Sequence, residues 1–565
     1  MKKVLALLLI AVMCCGVFAA CSSPAAETPS EPTTTEETPA TTEDADAASL
    51  VSDAFINPTA DWGQYNDLIT QIKTETDYAK RTELMHKAED ILMSNYCILP
   101  FYYYNDLYMQ KDYVDGIYAN LFQTKFFMYA TMSNGSDTLR LNLASEPDFL
   151  DPALNSTVDG ACLAANSFSG LYTYNAEGHT VPACATGYTV SEDGLHFVVT
   201  LREGLKWSDG SDLTAADFEY SWKRAASTLT AADYGYMFEV VDGYADIWAT
   251  DDDGNFLNPD AQLNVVALDE KTLQVTTANY VAYWNELLAF PTYFPVREDV
   301  VSNDAWATDP STYVCNGPYT MESWEHNSVI TLVKNPNFYD ADEITMETIN
   351  FYLSDDANNM LSNFKNGDWE LIDDVPTNEI ASLKAEYPDE FVVAGQIGTY
   401  YVCWNINEDI LPASSTLTGA EAEQAKAEIR NAIGLLFDRN YIVEEIGQAG
   451  QIPASSFVAM GMTNPDGTQF YETAGHSDDY VGYYDVSADA YESNFESAVE
   501  TLKKYYTYDE STGMFTDFPT LTYLYNTSEA HKAIGEYLQS ALAAVGITMN
   551  LENQEWATFL NTRKA

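Results

Sequence analysis

Residues 74–114, TETDYAKRTELMHKAEDILMSNYCILPFYYYNDLYMQKDYV, place the tightest constraint on how this chain can fold. Leu84, Ala88, Ile91 and Leu92 share one face of a helix, and a strand-like apolar run follows from Cys97 to Tyr104. One helix and short strands bury too little surface to stand alone. The segment is core material, so it must dock on sequence far away in the 565-residue chain.

That length exceeds what one hydrophobic core serves, and two or three lobes are expected. A composition of 46% hydrophobic and 13% aromatic residues belongs to a folded chain. A formal charge of -60 excludes nucleic acid, whose binding needs clustered Lys and Arg. It also repels anionic lipid, which leaves a covalent or inserted anchor as the route to a membrane.

Residues 1–20 read as an export signal, with Lys2 and Lys3, an apolar run from Val4 to Val17, and small residues before Cys21. The run is too short to span a bilayer. The Ser/Thr/Pro/Glu-rich stretch 21–48 reads as a disordered tether. This arrangement resembles a bacterial lipoprotein signal and implies a lipidated Cys21, although Phe18 departs from the aliphatic residue usual there; ordinary cleavage of a secreted protein is the alternative. Behind the signal stand Cys97, Cys162, Cys184, Cys315 and Cys403, with no CxxC spacing. Buried free thiols are the simplest reading, and Cys162 with Cys184 is a disulfide candidate in an exported protein.

From Leu139 onward the pattern is an α/β mixture. TLRLNLA alternates like a strand, and LHFVVTLREGLKWSDG reads as a strand and then a turn at Ser208, Asp209 and Gly210. Thr214 opens a helix, SVITLVKNPNFY is a strand before a Pro-marked turn, and IRNAIGLLFDRNYIVEEI is an amphipathic helical stretch. Ser528 caps a helix with apolar positions Ile534, Leu538, Ala541, Leu542 and Val545, ended by Gly546. A strand over Ile547 to Leu551 and a helical turn over Trp556 to Arg563 close the sequence.

Catalytic signatures are missing. The six histidines show no HExxH and no metal-ligand spacing, and there is no GxSxG, Walker loop or GxGxxG. Acid pairs such as Asp355 with Asp356 and Asp373 with Asp374 suit a glycosidase in principle, but 86 acidic residues make adjacency a matter of chance, and a solvated acidic surface is expected. DDDGNFLNPD at 251–260 places Gly254 too early for an EF-hand loop and reads as an acidic turn. No enzyme, metal or cofactor is expected.

SEPDFLDPAL (145–154), REGLKWSDGSDLTAADFEYSWKR (202–224), NGPYTMESW (316–324) and VKNPNFYD (333–340) resemble the extracytoplasmic oligopeptide-binding lipoproteins of peptide ABC transporters. The likeness continues through YNTSEAHKAIGEYLQSALAAVGITMNLENQEWATFLNTR and covers residues 139–565 in family order. It implies an α/β, two-lobed periplasmic-binding-protein-like fold with a hinge and an extra subdomain. Its lobes would be 139–175 with 296–397, and 398–565, with 176–295 as the subdomain. It further implies capture of oligopeptides between closing lobes, delivery to permease and ATPase subunits, a monomer, and a place on the outer face of the cytoplasmic membrane. A tethered peptide sensor or adhesion protein uncoupled from transport is the alternative.

The order of the front segment is unusual for the resemblance. NPTADWGQYNDLITQIKTETDYAKRTELMHKAEDILMSNYCILPFYYYND (57–106) is similar to what the family carries after FLNTR. The family's C-terminal portion thus stands at the front: 50–105 is expected to pack with the C-terminal lobe and 106–131 with the N-terminal lobe. A circular permutation and a chain joined from a gene fragment both give this order. Lost burial and ladder hydrogen bonds weigh toward the second.

Residue by residue, the resemblance implies that Ser156, Thr157 and Val158 meet the peptide backbone and that Tyr234 walls a pocket. It places Tyr400 and Tyr401 near the closing lobe, Trp556 and Leu560 as pocket lining, and His531 and Arg563 as carboxylate contacts. Aromatic rings fill cores as often as pockets, so a buried-strand role for Tyr400 and Tyr401 and a core role for Trp556 stand beside these, and His531 could face solvent. The aspartate that the family uses on the ligand's amine falls in the absent stretch, and weak peptide binding is the expectation.

Overall fold

The computed structural model describes residues 58–563 apart from 144–145, 148, 252–253, 304 and 474–481, and divides into two compact units. The export signal, Cys21, the tether and His476 lie outside the described residues. The first unit combines the chain up to Tyr103 with Ile397–Ile446 and Gln451–Ala565; the second holds Tyr104–Gln396 with Gly447–Gly450.

The front block has two helices where the sequence pattern shows one. Helix α1 (Pro58–Thr74) buries Tyr65, Leu68, Ile69 and Ile72, a stripe narrow enough to be lost among polar neighbours. Helix α2 (Tyr78–Ser94) starts at Asp77, whose carboxylate accepts from Lys80 N–H, and buries Leu84, Ala88, Ile91 and Leu92. Strand β1 (Ile98–Gln110) follows. Within the first unit this block is bonded throughout to distant sequence. Glu89 Oε1 accepts from Phe457 N–H (3.0 Å) and Val458 N–H (2.7 Å), and Tyr103 Oη lies 2.9 Å from Ser456 Oγ. His86 stacks on Phe470 at 3.7 Å and reaches Asn464 Oδ1 at 2.8 Å. Arg430 Nη2 donates to Asn95 O (2.8 Å) and Arg439 Nε to Pro100 O (2.8 Å).

The second unit runs in chain order through β2 (Thr138–Leu143), α3 (Val158–Ser167), β3 (Ala185–Val190), β4 (His196–Leu201), α4 (Ala215–Ala226), β5 (Val265–Asp269) and β6 (Thr272–Thr276). It continues with β7 (Tyr319–Glu325), β8 (Val329–Lys334), β9 (Thr348–Leu353), α5 (Ala357–Asn366) and β10 (Leu371–Ile372). The main sheet has the order β7-β8-β9-β2-β10-β1, with β9 parallel to β2 (Ile349↔Leu139) and β1 antiparallel to β10 (Met109↔Ile372). A four-stranded antiparallel sheet, β5-β6-β4-β3, carries α4 against it. Helix α4 begins in a Thr214–Asp217 capping box and turns Phe218, Trp222 and Ala225 inward, at helical spacing. Trp222 is fully buried, and its indole N–H is satisfied by Tyr293 O at 2.9 Å.

The first unit resumes with the latter part of β11 (Phe391–Cys403), then α6 (Ala420–Leu435) and β12 (Ile452–Pro453), which pairs with β1 (Tyr102↔Pro453). The amphipathic stretch is broken: α6 stops at Leu435, and Asp438 caps a separate short turn by accepting from Asn440 and Tyr441 N–H. Parallel strands β13 (Leu521–Asn526) and β14 (Met549–Gln554) flank α7 (Glu529–Ala543), which Ser528 caps and whose Ile534, Leu538 and Leu542 are buried. Gly546 sits at φ +83, and a Cβ there would meet Phe515 O at 2.5 Å, so only glycine ends the helix this way. The last helix is α8 (Trp556–Thr562).

Cys162 and Cys184 are not bonded to each other. Both thiols are free and buried, one directed at Lys125 O and the other at Ser169 O, and burial pushes each up to about 12.

Candidate functional site

Two groups of the expected residues form, one in each unit. In the second unit, Ser156, Thr157 and Val158 sit where the DPALN loop turns into α3. The loop is fixed first by Asp151, whose carboxylate binds Arg224 (2.6 Å) and accepts from Ala153 N–H. Asn155 then folds over the turn, accepting from Thr157 N–H (3.2 Å) and donating to Thr157 O (3.1 Å). Thr157 Oγ1 caps α3 by accepting from Gly160 N–H (3.1 Å), and a Cβ at Gly160 would collide with Asn155 Oδ1 at 1.9 Å. Both backbone polar groups of Thr157 are therefore engaged by Asn155. Val158 is 46% exposed on the same turn. Tyr234 is half-buried, edge-on to Phe290 at 5.2 Å.

In the first unit, Tyr400 and His531 meet. Tyr400 is buried, stacks on Tyr102 at 4.8 Å, and places its hydroxyl 3.1 Å from both Tyr523 Oη and His531 Nδ1. His531 is held in the first turn of α7, and burial lowers its imidazole from 6.5 to about 4. At neutral pH this leaves it an uncharged, half-buried ring hydrogen-bonded to Tyr400. Tyr401 does not join it: alternation along β11 turns it to the other face, edge-on to Phe457 at 5.5 Å.

Helix α8 gathers a second cluster. Trp556 stacks with Phe559 at 6.0 Å, and the Arg563 guanidinium lies 6.0 and 5.9 Å from the two ring centres. Leu560 is buried. Tyr102, Tyr523 and Phe559 were not singled out from sequence; the alternating aromatics of CILPFYYYND carried the only signal for Tyr102.

The acid pairs have structural work. Asp356 caps α5 through Asn358 and Asn359 N–H, Asp374 accepts from Val375 N–H, and the part-exposed Asp373 pairs with the buried Lys125 at 2.6 Å, so it is not simply a solvated surface acid. Among the described residues no group of three or more His, Cys, Asp or Glu could hold a metal ion. The arrangement offers aromatic surface, neutral hydrogen-bonding groups and one arginine, a recognition chemistry.

Residues 179–565 match the family model of the bacterial extracellular solute-binding proteins, family 5 Middle. The chain is 30% identical over 437 residues to the oligopeptide-binding protein OppA of Bacillus subtilis, covering 76% of this chain and 73% of that protein. It is 30% identical over 433 residues to the periplasmic oligopeptide-binding protein OppA of Salmonella typhimurium, covering 75% and 72%. The crystal structure of Haemophilus influenzae OppA in complex with RPPGFSPFR superposes with a TM-score of 0.59 at 25% identity, covering 76% of this chain and 78% of that one.

Proposed function

The chain belongs to the family 5 bacterial extracellular solute-binding proteins, and from that premise we propose that it captures oligopeptides outside the cytoplasm and delivers them to the permease and ATPase subunits of an ABC transporter. The observation that carries this is likeness over three quarters of the chain to two oligopeptide-binding proteins, joined to the fold likeness with a protein holding a nine-residue peptide. Ser156, Thr157 and Val158 in the second unit, through their backbone, and Tyr400, His531, Trp556, Leu560 and Arg563 in the first are the residues we assign to the peptide, with Tyr234 and Tyr401 as flanking aromatic surface. Backbone pairing supplies affinity and roomy surfaces accept many side chains. The test is thermal unfolding with a pool of short peptides. Ligand at about a hundred times its dissociation constant stabilises the native state by about 2.7 kcal/mol; an unchanged melt contradicts the proposal. Loss of peptide uptake in cells lacking the protein separates transport from sensing.

We further propose that Cys21 is lipidated and anchors a monomer to the outer face of the cytoplasmic membrane, without catalytic activity. The support is the basic, apolar and small-residue order before Cys21 together with the polar tether after it. A Cys21→Ser chain is then released to the medium, and retention on the cell contradicts the anchor.

The front block is proposed to be the family's C-terminal portion in a displaced position. Its support is the set of bonds from Glu89, Arg430 and Arg439 that tie residues 78–103 to distant parts of the first unit. A chain with residues 50–105 moved behind Arg563 through a flexible linker is expected to fold and bind peptide at least as well; failure to fold contradicts the displacement.

A further inference from the structure

Two arginines are buried in the first unit without a carboxylate bonded to either. Arg439 is 4% exposed and Arg430 is 7% exposed. Arg439 donates from Nε to Pro100 O (2.8 Å) and from Nη1 to Gly434 O (3.1 Å), while Arg430 donates from Nε and Nη2 to Asn95 O (3.1 and 2.8 Å). All of these acceptors are neutral carbonyls. The acids whose charges reach the two arginines are committed elsewhere: Asp438 accepts from Asn440 and Tyr441 N–H, and Glu423 pairs with Lys426 at 3.1 Å. A carbonyl satisfies a donor, yet it leaves the buried charge itself uncompensated.

A second observation falls at the same place. Arg439 Nη2 and the hydroxyl of the fully buried Tyr484 form no hydrogen bond among the described residues. Stacking and Gly434 bring the two side chains together. The Arg439 guanidinium lies over the Tyr484 ring at 4.1 Å, with the Phe101 ring at 5.5 Å. Gly434 offers its carbonyl to Arg439 Nη1, and a Cβ there would meet Tyr484 Oη at 2.9 Å. Burial raises the Tyr484 hydroxyl, and the charges of Arg439 and Arg430 act against that rise, so both cations are felt at one oxygen. Buried donors in this condition call for an acceptor.

We propose that Arg439 Nη2 and the Tyr484 hydroxyl bind a small monovalent anion, a halide such as chloride. The guanidinium nitrogen carries donors only, and the tyrosine hydroxyl can turn its proton to the same acceptor. A water accepts such bonds but brings no charge, whereas a halide accepts them and offsets the buried cations. Sulfate and phosphate are larger and carry more acceptor oxygens than these two groups satisfy. Arg439 and Arg430 are also the residues that grip Pro100 O and Asn95 O, so the anion secures the docking of the front block. The inference is independent of the peptide reading.

Thermal unfolding of the purified protein in sodium chloride, bromide and gluconate at equal ionic strength tests it, together with anomalous diffraction from crystals grown in bromide. Chloride and bromide are expected to raise the melting temperature by about 2–4 °C over gluconate. Tyr484→Phe keeps the ring beneath Arg439 but removes one donor, and is expected to raise the half-saturating bromide concentration about tenfold. The bromide peak is expected within hydrogen-bonding reach of Arg439 Nη2. Should Tyr484→Phe fail to fold, the peak in the unaltered protein decides. Equal melting temperatures in the three salts overturn the inference and leave a water between the two groups. A halide effect untouched by Tyr484→Phe, or a bromide peak only at other places, overturns it by putting the anion elsewhere.

Discussion

The two units treat buried cations in opposite ways. In the second, the buried Lys125 is paired with Asp106 and Asp373, and the part-exposed Arg224 and Arg140 with Asp151 and Glu370. In the first, Arg430 and Arg439 are buried, and the acceptors of their guanidinium groups are backbone carbonyls, among them Asn95 O and Pro100 O of the front block. Burial lowers Arg439 to about 10, a loss that the neighbouring Asp438 carboxylate only partly offsets. Carboxylate pairing works wherever two side chains reach each other. A carbonyl acceptor works only if the backbone bearing it is docked, so the arginines of the first unit make its stability depend on the front block.

The contrast can be broken from the second unit first. Lys125→Met leaves Asp106 and Asp373 unpaired in a site where Asp106 is 3% exposed, and is expected to cost about 3–5 kcal/mol in urea unfolding at pH 7. Burial already raises the Asp106 carboxyl, so it takes up a proton readily and the deficit shrinks as pH falls. A deficit that is constant with pH contradicts the ion-pair origin.

In the first unit, Glu89→Ala strands two backbone N–H groups at Phe457 and Val458 and is expected to cost about 2–4 kcal/mol, whereas Glu89→Gln keeps one acceptor oxygen and costs about half as much. Equal losses in chemical denaturation rule out the capping of that loop by α2.

His531 gives the first unit a pH dependence. Its folded value of about 4 lies below the ordinary 6.5, so the unfolded chain binds the proton more readily between them. The stabilisation is fully present above pH 6.5 and lost as pH falls to 4, on the order of 2–3 kcal/mol. His531→Phe should flatten the melting temperature over that window; an unchanged slope contradicts it. The smallest effect is Thr214→Ala in the second unit, about 1 kcal/mol from loss of the α4 capping box, read from the same melts.

Local chemistry was legible in the sequence and long-range chemistry was not. Thr214, Ser528 and Gly546 mark helix ends because capping depends on neighbours within a turn or so, and the alternation in TLRLNL became β2. The break after Leu435 was missed because Asp438 acts as a cap, a role that amphipathic spacing through the stretch conceals. Tyr400 and Tyr401 differ in fate through strand alternation alone, a rule available from sequence once the strand is granted. The Lys125–Asp373 pair, separated by 248 residues, arises from tertiary packing, which no local pattern encodes.

Native-state hydrogen exchange tests most directly whether the front block is a structural part of the first unit. Under mildly destabilising urea, the amides of residues 78–103 are predicted to lose protection together with those of Ala420–Leu435 and Leu521–Asn526, and to do so earlier in Glu89→Ala. Rapid exchange throughout residues 78–103 while α6 and β13 stay protected would contradict it.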